Sequence, residues 1–320
     1  MPHHWVGLQK HILRVILPIL RLWPARLSAA FLDWIGWVDY ALVPGQKDRY
    51  AEVVARARRE LDRAWDDRAV ARRLSSGLVT WRTRDRLLDG MSDRKALDRF
   101  IVHGKEHLDA ALAEGRGAIL LANHFGSHMT SSHWLFRQGY DLRLFSERPR
   151  NVSKYLGQQF RTDGPLGQEK LFISRRSTPT EAAGSILRAS RVLKAGMVLK
   201  IASDVRWHGG HTAPGHFLGK TYQFSTTWIV LAAMTGAPIV PVFARPDDRG
   251  RYILDFLPSF HVPADAPRNG EASTYVQHAL DLITEQVRLH PEQSNDYFYW
   301  TSPAASGVEA PRKQRPETVA

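Results

Sequence analysis

The chain has 320 residues, 43% of them hydrophobic and 24% charged, a balance that builds a core and excludes an intrinsically disordered chain. It has no cysteine, which excludes disulfides, cysteine-ligated metals and a thiol nucleophile. Against 32 acidic residues stand 44 basic ones, a net charge of +12 that suits an anionic partner; without zinc-finger spacing, an RNA-recognition signature or a repeat, nucleic acid is not the partner expected.

Residues 1–45 stand apart. The run from Trp5 to Trp23 is strongly apolar but interrupted by Arg14, Pro18 and Arg21, too broken for a spanning helix of roughly 20 apolar residues or for a cleaved leader. Lys10, Arg14 and Arg21 share one helical face, while Trp5, Leu8, Ile12, Ile16 and Ile19 lie on the other side. That pairing predicts a helix lying in a membrane interface, against an anionic lipid surface. A second apolar stretch, Leu27 to Val43, carries Trp34, Trp37 and Tyr40. The alternative for both is a helical hairpin packed on the domain.

Residues 47–100 read as two or three solvated helices ending near Ser92. An α/β pattern follows: a helix over Gly104–Glu114, a short apolar strand Ala118–Ala122, a helix to about Gln138, and a strand at Leu142–Phe145. Next come a helix over Glu181–Lys194, a strand Met197–Ala202, a helix Thr226–Thr235, strands Ile239–Ala244 and Tyr252–Leu257, and a helix Thr274–Leu289 stopped before Pro291. This predicts an α/β fold, a mixed and mostly parallel sheet covered by helices on both faces, with its site at the carboxyl ends of the strands. The organisation expected is a membrane-interface helical segment 1–45, one domain 46–301, and a disordered tail 302–320.

His124 follows the strand Ala118–Ala122, in the loop Asn123-His124-Phe125-Gly126-Ser127-His128. An imidazole there titrates near working pH and suits a general base. His128 lies four residues on; the two could share a helix face or bind zinc, but the zinc-protease pattern is absent and no metal site is expected. Tyr222, Phe224 and Trp228 could line a groove or fill the core, and Trp228 is read as core.

The order of these segments resembles the bacterial lipid A biosynthesis acyltransferases, the lauroyl and myristoyl transferases of the lysophospholipid acyltransferase superfamily. The run Gly104–Gly117 followed by AILLANHFGS resembles their helix, strand and catalytic loop. Glu147-Arg148-Pro149-Arg150-Asn151 is similar to their arginine segment, and Ser203-Asp204 with Gly209-Gly210 to their aspartate-glycine loop. Phe217-Leu218-Gly219, Gly236-Ala237-Pro238-Ile239 and the closing His290-Pro291-Glu292-Gln293 before Tyr297-Phe298-Tyr299-Trp300 extend the likeness over roughly residues 100–300.

The resemblance implies a glycerolphosphate-acyltransferase-like fold and transfer of a fatty acyl group from an acyl carrier protein or coenzyme A thioester, with no cofactor. The acceptor would be a hydroxyl or amine of a membrane lipid or glycolipid, at the cytoplasmic face of an inner membrane. It makes His124 the base, with backbone N–H groups and an arginine holding the oxyanion. It adds Asn123, Arg148, Arg150, Asn151, Phe217 and Gly219 as substrate-binding residues. The family pattern is a histidine, four residues, then an acid that orients the imidazole; here the fifth position is Met129. Either another residue supplies the partner, with His128, Asp204 and Glu147 the candidates, or His124 acts alone, or the chain binds lipid without turnover. An acceptor other than lipid A is a further alternative.

Overall fold

The computed structural model describes residues 15–83, 85–149, 152–161, 164, 166–174, 178–207 and 210–300. The expectations for Trp5 to Arg14 and for the tail 302–320 lie outside the described residues, as do Arg150, Asn151 and Gly209.

Eight strands are described. They are β1 Phe100–His103, β2 Ala118–Ala122, β3 Leu142–Leu144, β4 Val198–Ala202, β5 Thr212–Phe217, β6 Lys220–Ser225, β7 Ile239–Pro246 and β8 Tyr252–Phe256. Six of them form one sheet in the order β1-β8-β7-β2-β4-β3. All its neighbours run parallel except β7 and β8. The mixed, mostly parallel sheet expected from the apolar runs is therefore what forms. Among the strands, β1 and the β5–β6 hairpin escaped the sequence reading. Strand β1 is only four residues on an outer edge of the sheet, too short to show a period. The β5–β6 hairpin contains Pro214 and Gly215, which argue against a strand. Its turn places Leu218 and Gly219 at φ 48° and 75°, the left-handed pair a two-residue hairpin requires.

The central strands bury both faces, and alternation sorts their side chains into two cores. Ile119, Leu121, Leu199, Ile201, Ile239 and Phe243 pack with residues of helices Gln46–Leu61, Asp67–Thr83, Pro179–Lys194, Thr227–Thr235 and Ala272–Leu289. Leu120, Val198, Val240 and Val242 pack with Leu108, Trp134, Leu135 and Leu156 of the helices on the opposite face. Helices Gln46–Leu61 and Asp67–Thr83 are thus not simply solvated. Tyr50, Val53, Val54, Ala57, Val70, Ala71 and Leu74 belong to the first core. Ser92, read as the end of this region, instead caps a further short helix, Asp93–Leu97.

Helix Ala25–Leu42 buries Ser28, Leu32 and Gly36 and crosses Asp67–Thr83 closely. A Cβ at Gly36 would stand 2.3 Å from the Ser76 Cα, so only glycine permits the approach. The outward side of the same N-terminal region leaves Val15, Ile19, Leu22, Leu27, Trp34 and Trp37 exposed. Among the described residues, no helix is long and apolar enough to cross a membrane.

Candidate active site

All five residues of β2 are buried, and the chain emerges from the sheet at Asn123. Its parallel neighbour β4 pairs Ala122 with Ala202. In that register the second residue past each strand end, His124 and Asp204, fall side by side.

The two side chains touch. His124 Nδ1 lies 3.0 Å from Asp204 Oδ1, and the His124 backbone N–H donates to Oδ2 at 2.8 Å. Tyr297 Oη donates to the same Oδ2 at 2.7 Å and accepts from the His124 N–H at 3.1 Å. Asp204 is wholly buried at its side chain, whereas that of His124 is 42% exposed. Burial alone would raise the Asp204 pKa. The His124 charge, the hydrogen bonds from the His124 ring and backbone, and that from Tyr297 outweigh it and hold the carboxyl below its ordinary value. An ionised carboxylate only accepts hydrogen bonds. Nδ1 therefore carries the proton, and Nε2 is the basic nitrogen.

The loop around His124 is held by its own polar groups. Asn123 is buried; its Nδ2 donates to the Val242 carbonyl at 3.2 Å and its Oδ1 accepts from the Phe125 N–H. The Gly126 N–H donates to the Gln293 carbonyl and the Ser127 N–H to the Ala244 carbonyl. Gly126 sits at φ 53°, with the Ala244 carbonyl 2.3 Å from where a Cβ would be, so the position demands glycine. The four N–H groups of residues 124–127 are all committed to protein acceptors. None of them is open to an oxyanion in this arrangement, so the backbone N–H groups expected to hold one are not those of residues 124–127.

His128 lies edge-on to His124, with ring centroids 5.1 Å apart. The helix begins only at Thr130, so the two histidines do not share a helical face. Met129 is buried among Leu120, Ala122, Val242 and Leu254, and an acid there would sit in an apolar core. The carboxylate at the imidazole belongs to Asp204. Glu147, also a candidate, is exposed and bridges to Ile173.

The remaining expected residues lie as follows. Arg148 is exposed, pairs with Glu169 at 2.8 Å and lies over the Phe172 ring. Phe217 is buried, packed edge-to-face on Tyr297 at 5.2 Å and Trp300 at 5.5 Å. Gly219 occupies the hairpin turn, where a Cβ would meet the Glu60 carboxylate. Trp228 and Phe224 are fully buried, in keeping with the core reading of Trp228.

Three residues were missed. Tyr297 was noticed only as part of an aromatic ending. Lys200 breaks the apolar run of β4, a signal in itself, since a charge in a doubly covered strand must find buried partners. Its Nζ donates to the His128 carbonyl and Ser131 Oγ at 2.7 Å and to Ser132 Oγ at 2.9 Å, tying the histidine loop to the sheet. Arg206 stacks over Trp300 at 4.4 Å and Tyr222 at 5.5 Å.

The family described as bacterial lipid A biosynthesis acyltransferase matches residues 16–300. Among curated proteins, the chain is similar to the phosphatidylinositol mannoside acyltransferase of Mycobacterium tuberculosis strain H37Rv, 29% identical over 200 residues, 62% of this chain and 58% of the relative. It is similar to the protein of the same name from strain CDC 1551, 30% identical over 210 residues, 64% of this chain and 61% of the relative. The match thus spans about three fifths of the length of these relatives.

Proposed function

The chain belongs to the bacterial lipid A biosynthesis acyltransferase family, and from that premise we propose that it moves a fatty acyl group from an acyl thioester to a hydroxyl of a membrane lipid or glycolipid. One observation carries this reading: an accessible imidazole at the end of a buried strand, its Nδ1 held 3.0 Å from a fully buried carboxylate. In the proposed reaction Nε2 of His124 takes the proton of the acceptor hydroxyl as its oxygen attacks the thioester carbonyl. The imidazolium that forms is stabilised by Asp204. Collapse of the tetrahedral intermediate expels the thiolate, to which the imidazolium returns the proton.

The relatives' name points to a mannosylated phosphoinositide as their acceptor. A glycolipid with free sugar hydroxyls is the acceptor class proposed here. The donor is an acyl carrier protein or coenzyme A thioester, either of which presents phosphate to a chain of net charge +12. Arg148, Arg150 and Asn151 remain the proposed phosphate-binding residues and His128 a polar group beside the base. The exposed Leu22, Leu27, Trp34 and Trp37 support docking of the N-terminal region on a membrane surface, proposed as the cytoplasmic face of an inner membrane.

Incubation of the purified protein with an acyl thioester and glycolipid acceptors in vesicles tests the reading. Thiol release should depend on the acceptor, and His124→Ala should abolish it. Release at the wild-type rate in that variant would refute the role of His124. No release with any acceptor would favour the rival, a lipid-binding protein without turnover.

A further inference from the structure

We infer that Tyr297 is a positioning residue of the reaction: its hydroxyl, held by an aromatic stack, fixes the Asp204 carboxylate so that one oxygen alone faces the imidazole. The inference deepens the proposed function and rests on His124 being the base.

Asp204 Oδ2 takes two donors, the Tyr297 O–H at 2.7 Å and the His124 backbone N–H at 2.8 Å, while Oδ1 faces His124 Nδ1 at 3.0 Å. A carboxylate held only by an imidazole can rotate about its Cβ–Cγ bond and offer either oxygen, which lets the ring follow it. With Oδ2 pinned from two sides the plane is set, and Nε2 keeps one direction. The Tyr297 hydroxyl also accepts from the His124 N–H at 3.1 Å, so one phenol touches both members of the pair.

The phenol is itself held rigidly. Tyr297 is fully buried, with Phe217 edge-on at 5.2 Å and Trp300 edge-on at 5.3 Å. Its neighbours are anchored too. Phe298 packs on Trp65 and Tyr299 on Tyr50, while the Gln293 carbonyl accepts from the Gly126 N–H of the histidine loop at 3.0 Å. The segment 291–300 therefore braces the site from the C-terminal side. Such second contacts hold a reacting geometry that pairwise hydrogen bonding leaves loose.

The test is Tyr297→Phe in the full-length protein, which keeps the ring stack and removes only the hydroxyl. A lost hydrogen bond to a charged group predicts a fall in kcat of about tenfold, with KM for the thioester within about twofold of wild type. The acidic limb of the kcat profile should move to higher pH, because a carboxylate with one donor fewer stabilises the imidazolium more strongly. A stability loss alone would leave that limb in place. Nitrogen-15 NMR of histidine-labelled protein, with His124→Gln identifying the signal, supplies a readout that needs no turnover. Wild type should show a single sharp tautomer protonated at Nδ1, and Tyr297→Phe the same tautomer with a broadened signal, because the ring then follows a carboxylate free to turn. Unchanged kcat, pH profile and line width would overturn the inference. Full activity in His124→Ala would instead sink the proposed function and with it any part of Tyr297 in the reaction, while the line width would still report separately whether Tyr297 fixes the Asp204–His124 pair.

Discussion

Asp204→Asn is the sharpest perturbation of the proposed chemistry, because the amide has nearly the carboxylate's shape. The two donors at Oδ2, the His124 N–H and the Tyr297 O–H, select the amide oxygen for that position. The NH2 group then faces His124 Nδ1. It can only donate there, so Nδ1 becomes an acceptor, the ring proton moves to Nε2, and the nitrogen that should take the acceptor's proton no longer has a lone pair. The imidazolium also loses its counter-charge. In a serine-hydrolase triad the same exchange costs about 10⁴-fold in kcat through the wrong tautomer. With Nε2 partly open to water, the cost expected here is about 10³-fold, roughly 4 kcal/mol. The fold should survive, since neutralising a buried carboxylate removes a desolvation cost along with the ion pair. Thiol release measures it cleanly, because the chain has no cysteine to add background. Adding Met129→Glu should not restore activity. Position 129 lies among Leu120, Ala122 and Val242, and a carboxylate there should cost about 3–5 kcal/mol of stability instead. Retention of more than a tenth of the activity in Asp204→Asn, or rescue by Met129→Glu, would refute the assignment of Asp204 as the orienting acid.

Two further predictions follow from other parts of the structure. His133 is buried, bonded to Ser153 Oγ at 2.8 Å, and burial first, then the Arg137 charge, pushes its pKa from 6.5 down to about 3. A depressed folded value means that the unfolded chain binds the proton first, so stability is complete above pH 6.5 and is lost as pH falls toward 3. By pH 4 the loss should be about 3 kcal/mol, read from urea midpoints against pH, and His133→Gln should flatten that slope; an equally steep slope in the variant would reject the account. Trp34 and Trp37 are 55% and 46% exposed, which leaves about 100 Å² of each indole for a membrane, at most about 5 kcal/mol together. Trp34→Ser/Trp37→Ser should weaken binding to phosphatidylglycerol vesicles at least tenfold with thermal stability kept, and undiminished binding would exclude this face as the docking surface.

The legible parts of the molecule were those written in a local period or a contiguous motif. Ala118–Ala122 announced a doubly covered strand, and His124 drew notice as the first polar group past its end. Asp204 could only be one candidate among three, because what selects it is the register of β2 against β4, Ala122 beside Ala202. Parallel register is set by how the crossover helices pack, and no spacing along the chain reports it. The hairpin β5–β6 was hidden by Pro214 and Gly215, so Phe217 and Gly219 drew attention as a motif, without the turn that explains the glycine. Tyr297 is 173 positions from His124 and sits in an aromatic run that reads as packing; only in the folded chain does one phenol of that run end on the carboxylate.

Moving the acid from the fifth position to a neighbouring strand changes what the site depends on. A histidine and an acid on one loop need only that loop to be correct. Here the partner arrives on β4, the loop is tied to β4 through Lys200, to β7 through Asn123 and Ser127, and to the C-terminal segment through Gly126 and Tyr297. The geometry of His124 is therefore a property of the whole sheet edge. Substitutions that shift β4 or loosen residues 291–300 should damage turnover as much as changes beside the imidazole, whereas Met129, at the position where the family pattern puts the acid, is free to do what its surroundings ask and fill a core.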